Sequence, residues 1–81
     1  MVGKALSKPA LVRDGILDYL ARHPEASDTL DGIAGWWLSA IDPPPTEEVL
    51  QATLDELTAE GKVARIMMLD GSFLYARKHS T

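Results

Sequence analysis

The chain has 81 residues, a hydrophobic fraction of 46%, a formal net charge of −4 and no cysteine. A chain of this length is expected to form one domain whose core needs nearly every large apolar side chain. The lack of cysteine excludes a disulfide framework, a thiolate nucleophile and a cysteine-based zinc site, and it fits a reducing cytoplasm.

Neither a signal peptide nor a membrane segment is predicted. Residues 1–10 lack the apolar stretch of a signal peptide, and the longest nearly apolar window, residues 33–41, is too short to cross a bilayer. We therefore expect a cytoplasmic protein that has no membrane partner.

Charge is distributed unevenly along the chain. Residues 24–61 contain nine acidic side chains and no Lys or Arg, whereas residues 1–23 and 62–81 carry net charges of +2 and +3. Duplex DNA carries one phosphate charge per ~1.7 Å of its axis. The acidic middle of the chain therefore disfavours contact with nucleic acid.

A first helix is predicted from Pro9, which suits a first turn, to His23-Pro24, which ends it. Its apolar stripe, at spacings of three and four residues, comprises Val12, Ile16, Tyr19 and Leu20. A second helix is predicted to begin at Asp28 as N-cap and to stop at the proline run, residues 43–45. Its stripe comprises Leu30, Ile33, Ala34, Trp37 and Ile41.

Three residues inside the second helix need separate explanations. Trp36 lies about 100° around the helix from Trp37, so we expect it at the edge of the core or outside it. Gly32 and Gly35 are interpreted as positions that permit close helix packing. A glycine-rich phosphate loop is not indicated, because both lie within a helical pattern.

A third helix is predicted between Thr46 as N-cap and Gly61, with Glu47 in its first turn. Its buried stripe comprises Leu50, Thr53, Leu54 and Leu57. Its outward face comprises Glu48, Gln51, Ala52, Asp55, Glu56 and Ala59. We expect five residues from the three helices to be almost fully buried in one core: Leu20, Ile33, Trp37, Leu54 and Leu57.

The hydrophobic period then changes to two, which predicts strands over residues 62–69 and 72–77 around Asp70-Gly71. A two-residue turn would pair Met68 with Phe73 and Ile66 with Tyr75. The opposite face would then hold Val63, Met67, Leu69 and Leu74. A three-residue turn would place Phe73 and Tyr75 with Met67, and its outward residues would be Ile66, Met68 and Leu74. Either register leaves several large apolar side chains without a place in the core.

Three helices followed by a β-hairpin resemble the winged helix-turn-helix superfamily. The resemblance runs roughly from Pro9 to Arg77, and two segments carry it: Leu54-x-x-Leu57-x-x-x-Gly61-Lys62-Val63 and Leu69-Asp70-Gly71-Ser72-Phe73-Leu74-Tyr75. It implies an α+β domain over residues 9–77, in which a three-helix bundle precedes a C-terminal wing. Residues 1–8 are then a flexible N-terminal segment and residues 78–81 a C-terminal tail.

Members of this superfamily predominantly bind nucleic acid, but this chain departs from their pattern. The connection over residues 41–45 is long and proline-rich, and the third helix has no basic residue. We therefore predict a protein-interaction module that forms a homodimer or docks on a larger protein. A homodimer would pair two wings face to face, or edge to edge through the returning strand. The predicted interface residues are Trp36, Met67, Met68, Leu69, Phe73 and Leu74. The predicted charged rim is the acidic face of the third helix, with Glu48, Gln51, Asp55 and Glu56.

The alternative is a DNA-binding transcriptional regulator. Its phosphate contacts would come from the base of the wing, through Lys62, Arg65, Arg77 and Lys78. Catalysis is not predicted: His23 is interpreted as a solvated or capping residue, His79 lies in the tail, and neither has a second ligand at helical spacing. We expect no enzyme activity, no metal, no cofactor and no small-molecule ligand.

Overall fold

The computed structural model describes residues 7–78 and has an α+β architecture. Three helices are combined with a three-stranded antiparallel sheet that includes the C-terminal hairpin. The elements are α1 (Lys8–Arg22), β1 (Ser27–Asp28), α2 (Leu30–Gly32) with a π-helical segment (Ile33–Trp37), α3 (Glu47–Ala59), β2 (Val63–Met67) and β3 (Phe73–Arg77). His79 and most of the predicted flexible N-terminal segment and tail lie outside the described residues. In the described part of the chain, no helix has the length and apolarity needed to cross a membrane.

The first helix is confirmed, with Pro9 in its first turn. The Ser7 hydroxyl caps it by accepting a hydrogen bond from the Ala10 N–H at 3.3 Å. The helix ends where the His23 N–H donates to the Tyr19 carbonyl at 2.8 Å. Its predicted stripe is buried at Val12, Ile16 and Leu20.

The second helix is shorter than predicted and begins differently. Thr29 is its N-cap rather than Asp28: the Thr29 hydroxyl accepts from the Gly32 N–H at 3.2 Å, while Asp28 Oδ1 accepts from the Thr29 N–H at 2.8 Å. A π-helical hydrogen bond from the Leu38 N–H to the Ile33 carbonyl, 3.1 Å long, closes the last turn. The wider turn brings Leu38 into the core, and the helix ends before the predicted Ile41.

The glycines of this region have different environments. A Cβ added at Gly32 would meet the carboxylate of Asp28, whereas one added at Gly35 would find no atom within 4 Å. The packing role predicted for Gly35 is therefore wrong, because Gly35 is exposed beside Trp36. The close helix contact lies instead at Gly15 of α1, where an added Cβ would be 2.8 Å from Leu38 Cδ2.

The third helix is confirmed in its cap, its buried face and its end. The Thr46 hydroxyl accepts from the Val49 N–H at 3.2 Å. Gly61 follows the helix with a φ of +78°, a left-handed conformation that glycine adopts at little cost. The buried residues are Leu50, Thr53, Leu54 and Leu57, as predicted.

The hairpin turn contains three residues, so the two-residue turn is wrong and the three-residue alternative is confirmed. The Met68 N–H donates to the Ser72 carbonyl at 2.7 Å, and the Gly71 N–H donates to the Met68 carbonyl at 3.0 Å. Gly71, with a φ of +89°, closes the turn in the left-handed conformation typical of such loops. Tyr75 therefore lies opposite Arg65.

A short strand that the sequence did not predict changes the edges of the sheet. In β1, Ser27 pairs with Ala76 and Asp28 with Tyr75, so the strand order is β1-β3-β2. The returning strand β3 is therefore central, and its expected role as an open edge is wrong over these residues. Among residues 7–78 the edge strands are β1 and β2, and β2 offers the longer open edge.

The core lies between the helices and the base of the hairpin. The five side chains predicted to be almost fully buried, Leu20, Ile33, Trp37, Leu54 and Leu57, are at most 8% exposed. Leu38, Val63 and Tyr75 join them in one cluster. The Trp37 ring stacks on Tyr19 with centroids 4.8 Å apart, and so ties the π-helical segment to α1.

Candidate interaction surface

Exposed apolar side chains concentrate in the distal half of the hairpin, residues 66–74, which we call the hairpin tip. Among the described residues, the large hydrophobic side chains that are exposed in the tip are Ile66, Met67, Met68, Leu69 and Phe73. In the rest of residues 7–78, only Leu11 and Trp36 are comparably exposed. Leu74, also predicted for the interface, is half-buried. The tip thus brings together five of the six predicted interface residues.

Both faces of the hairpin tip are apolar. In the observed register Met67 and Phe73 lie on the face that meets the helices nearer the base, while Ile66 pairs with Leu74 on the outer face. Met67 remains 70% exposed although it is on the helix side. The helices cover the base of the hairpin and leave the tip in solvent.

Polar contacts mark the limit of that coverage. The Gln51 side chain of α3 donates a hydrogen bond from Nε2 to the Tyr75 hydroxyl at 2.9 Å and to Asp55 at 3.1 Å. Arg65 lies 3.7 Å from the Asp55 carboxylate, and its guanidinium stands 5.0 Å from the centre of the Phe73 ring. These contacts join α3 to the middle of the sheet, just before the tip begins.

The predicted acidic face of α3 is divided by these contacts. Glu48 and Glu56 are exposed, whereas Gln51 is half-buried and directed towards Tyr75. Glu47, at the start of α3, and Asp31, in α2, line the same open depression as Phe73. Acidic side chains therefore lie directly beside the apolar tip.

The four predicted basic residues do not form one patch. Arg65 is engaged with Asp55 and Phe73 in the middle of the sheet. Lys62, Arg77 and Lys78 instead surround an open cleft of about 420 Å³ between the hairpin base and α1. This cleft is the remaining cationic surface of the predicted set.

Trp36 belongs to a surface separate from the hairpin tip. Its side chain is 75% exposed, as predicted, and lines a groove with Arg22 and His23 at the end of α1. The His23 ring lies 4.5 Å from the Tyr19 ring. None of the tip residues lines this groove, so the interface predicted as one set consists of two surfaces.

The turn at the hairpin tip is stabilised by its own side chains. Asp70 Oδ1 accepts hydrogen bonds from the Ser72 hydroxyl at 2.6 Å and from the Ser72 N–H at 2.9 Å. These bonds, the hydroxyl first, hold the pKa of Asp70 below its ordinary value. The tip is thus an ordered turn that presents apolar side chains to water.

Sequence reasoning missed the open edge of β2. No sequence signal pointed to it, because β1, which covers β3 and leaves β2 as the longer open edge, contains only two residues and shows no apolar alternation. Comparison of the chain with known protein families and with curated proteins found no match.

Proposed function

We propose that the chain is a winged-helix domain that works as a non-enzymatic protein-interaction module, with the hairpin as its wing. The layout supports this assignment. α3 ends at a left-handed Gly61, β2 follows after one residue, and β3 returns a buried Tyr75 to the core. Fold alone does not specify function, so the activity is argued from the surface.

The observation that carries the proposal is the apolar hairpin tip. A small domain needs most of its large apolar side chains inside, yet Met67 and Leu69 are left in water. Moving one such side chain fully out of water contributes roughly 1.5–3 kcal/mol. Covering three or four of them would offset much of the ~4–15 kcal/mol that association costs.

The charges around the tip favour a particular kind of partner. Asp31 and Glu47 line one open depression with Phe73, and further acids of α3 are exposed. Interfaces commonly combine an apolar centre with a polar rim of complementary charge. A partner that presents an apolar centre bordered by Lys and Arg suits this surface.

A capture experiment tests the proposal. The immobilised chain is exposed to an extract of the cells that make it, beside a Met67→Lys/Leu69→Lys variant and a Leu11→Lys control, which places one charge on exposed α1. We expect the wild type and the control to retain the same protein, either a second copy or another chain, and the tip variant to lose at least tenfold. Equal retention by all three would contradict an interaction through the tip.

DNA binding is the second candidate, and the cleft formed by Lys62, Arg77 and Lys78 favours it. Against it, the exposed acids of α3 repel phosphate, and the Asp55 carboxylate, 3.7 Å from Arg65, competes with phosphate for that side chain. We expect duplex DNA to bind no more tightly than ~10⁻⁴ M at physiological salt. Titration of labelled duplex at several salt concentrations checks this. Micromolar binding that weakens steeply with salt, and is lost in Lys62→Gln/Lys78→Gln, would establish the second candidate.

A further inference from the structure

The hydrogen-bonding groups of β2 divide cleanly between its two sides. The Met68 N–H donates to the Ser72 carbonyl and the Lys78 N–H donates to the Lys62 carbonyl, so the even-numbered residues of this strand bond to β3. In an antiparallel ladder, residues that hydrogen-bond to the neighbouring strand alternate with residues whose N–H and C=O groups point the other way. The N–H and C=O groups of Val63, Arg65 and Met67 therefore point away from β3, towards the open edge of the sheet.

The usual protections of an edge strand are missing here. Natural sheets block open edges with proline, bulges or charged side chains. β2 contains no proline, and its five residues pair consecutively with β3 without a bulge. Its single charge, Arg65, is drawn over the Phe73 ring and towards Asp55, on the side of β3 and α3. Among the described residues no strand pairs with this side of β2, so the edge can accept another strand.

We propose that this edge pairs antiparallel with β2 of a second copy, around a two-fold axis at Ile66. The two sheets would then form one sheet of six strands. A strand edge of this kind is self-complementary, because an antiparallel strand presents the same alternating groups to its own copy. The inference rests on the proposed function and names a second copy as the partner at the β2 edge. The acidic side chains beside Phe73 lie on the β3 side of the sheet, away from this edge.

Charge and burial select the register. An axis at Arg65 would place two Arg65 side chains directly opposite each other, which is unfavourable. An axis at Ile66 pairs each Arg65 with the other copy's Met67. This axis also places the centre of the paired region nearer the tip, where Met67 is 70% exposed. It lies farther from the base, where Val63 is buried against the helices.

The outer face gains most from this register. Two copies of Ile66 would face each other as a non-hydrogen-bonded pair, in which Cα atoms lie ≈ 4.5 Å apart and side chains are close. Met68 and Leu74 are on the same face as Ile66. Six apolar side chains, three from each copy, would form one continuous patch across the joined sheet.

Single-cysteine cross-linking tests the register, and the absence of natural cysteine makes it specific. Three variants, Ala64→Cys, Ile66→Cys and Met68→Cys, share the outer face. We expect mild oxidation to link Ile66→Cys at least tenfold faster than the other two, because only position 66 meets its own copy at a distance that a disulfide spans. Equal rates at all three positions, or no linkage, would overturn the proposal.

A backbone substitution tests the edge itself. Met67→Pro removes an N–H that points to the open edge and no hydrogen bond to β3, so the hairpin is expected to remain folded. Sedimentation should show a wild-type dimer at concentrations on the order of 100 μM and a dissociation constant at least tenfold higher for Met67→Pro. Met67→Ala, which keeps the N–H, is the matched control and should weaken the dimer less. Circular dichroism confirms that each variant is folded.

The outcomes separate this inference from the proposed function. A wild-type monomer overturns edge pairing, while capture of a different protein through the tip would leave the proposed function intact. A dimer that survives Met67→Pro but is lost in Leu74→Lys also overturns edge pairing, because the copies would then join by their apolar faces. Loss of the dimer in Met67→Pro, with linkage at position 66, supports it.

Discussion

The base and the tip of the hairpin are built from the same two strands but differ in burial. On the face towards the helices, Val63 and Tyr75 at the base are 1% and 3% exposed. Met67 and Phe73, nearer the tip on the same strands, are 70% and 38% exposed. The alternation of a strand determines which side chains share a face. How many of them are covered depends on how far the helices reach, and here α3 reaches only to the middle of the sheet.

The largest expected effect separates the core from the tip. Leu54 is fully buried, so Leu54→Ala is expected to reduce the free energy of unfolding by ~2–5 kcal/mol. Met67→Ala removes a side chain that is mostly in water and should change it by less than ~0.5 kcal/mol. Urea denaturation of both variants measures the contrast. Similar losses would mean that the tip is packed against the domain.

A second comparison extends this contrast to the helices. Gly15→Ala places a Cβ 2.8 Å from the buried Leu38, so we expect overpacking to destabilise the fold by ~1–3 kcal/mol. Gly35→Ala meets no atom within 4 Å and should be neutral or stabilise by up to ~1 kcal/mol, because alanine favours the helix. Thermal melts should show a lower midpoint for Gly15→Ala and an unchanged or higher midpoint for Gly35→Ala. A stabilised Gly15→Ala would contradict the close contact between α1 and Leu38.

The contact between α3 and the middle of the sheet can be weakened by removing one oxygen atom. Tyr75→Phe removes the hydroxyl that accepts from Gln51 Nε2, and we expect a loss of ~0.5–1.5 kcal/mol, since the ring stays buried. Gln51→Ala in the Tyr75→Phe background tests whether the two residues act through one hydrogen bond. Their effects should then be less than additive. Full additivity in this double-mutant cycle would exclude a shared interaction.

The smallest expected effect is confined to the turn of the tip. Because Ser72 lowers the pKa of Asp70, the ionised form favours the folded turn. The resulting stabilisation is present above the ordinary Asp pKa of about 3.9 and is lost as the pH falls through the lowered folded value. A carboxyl titration by NMR should show the Asp70 pKa rise in Ser72→Ala. An unchanged midpoint would show that the Ser72 hydroxyl does not hold this carboxylate.

Much of the helical body could be predicted from local chemistry. Pro9, Thr46 and Gly61 act within one turn of where they stand in the sequence, so their roles at helix ends are readable without tertiary information. The same holds for the buried stripe of α3. The exposure of Trp36 followed from its angle to Trp37 alone.

What could not be predicted depends on contacts between distant segments. Strand β1 exists because Ser27 and Asp28 meet β3, nearly fifty residues later, and two residues carry no period of their own. The turn length was undecided because Asp70-Gly71 suits a two-residue turn, while a three-residue loop ending in Gly71 satisfies the same dipeptide. The exposed residues of the candidate surface were predicted. The separation of Trp36 from the hairpin tip and the open edge of β2 were not predicted.

The adjacent tryptophans have an optical consequence. Trp37 is buried and stacked on Tyr19, so its fluorescence reports the integrity of the core, while Trp36 is 75% exposed and reports the groove beside α1. The hairpin tip does not line that groove. A partner that covers only the tip therefore leaves the long-wavelength emission of Trp36 unchanged, and one that enters the groove shifts it to shorter wavelengths. A single emission spectrum thus distinguishes which of the two surfaces is occupied.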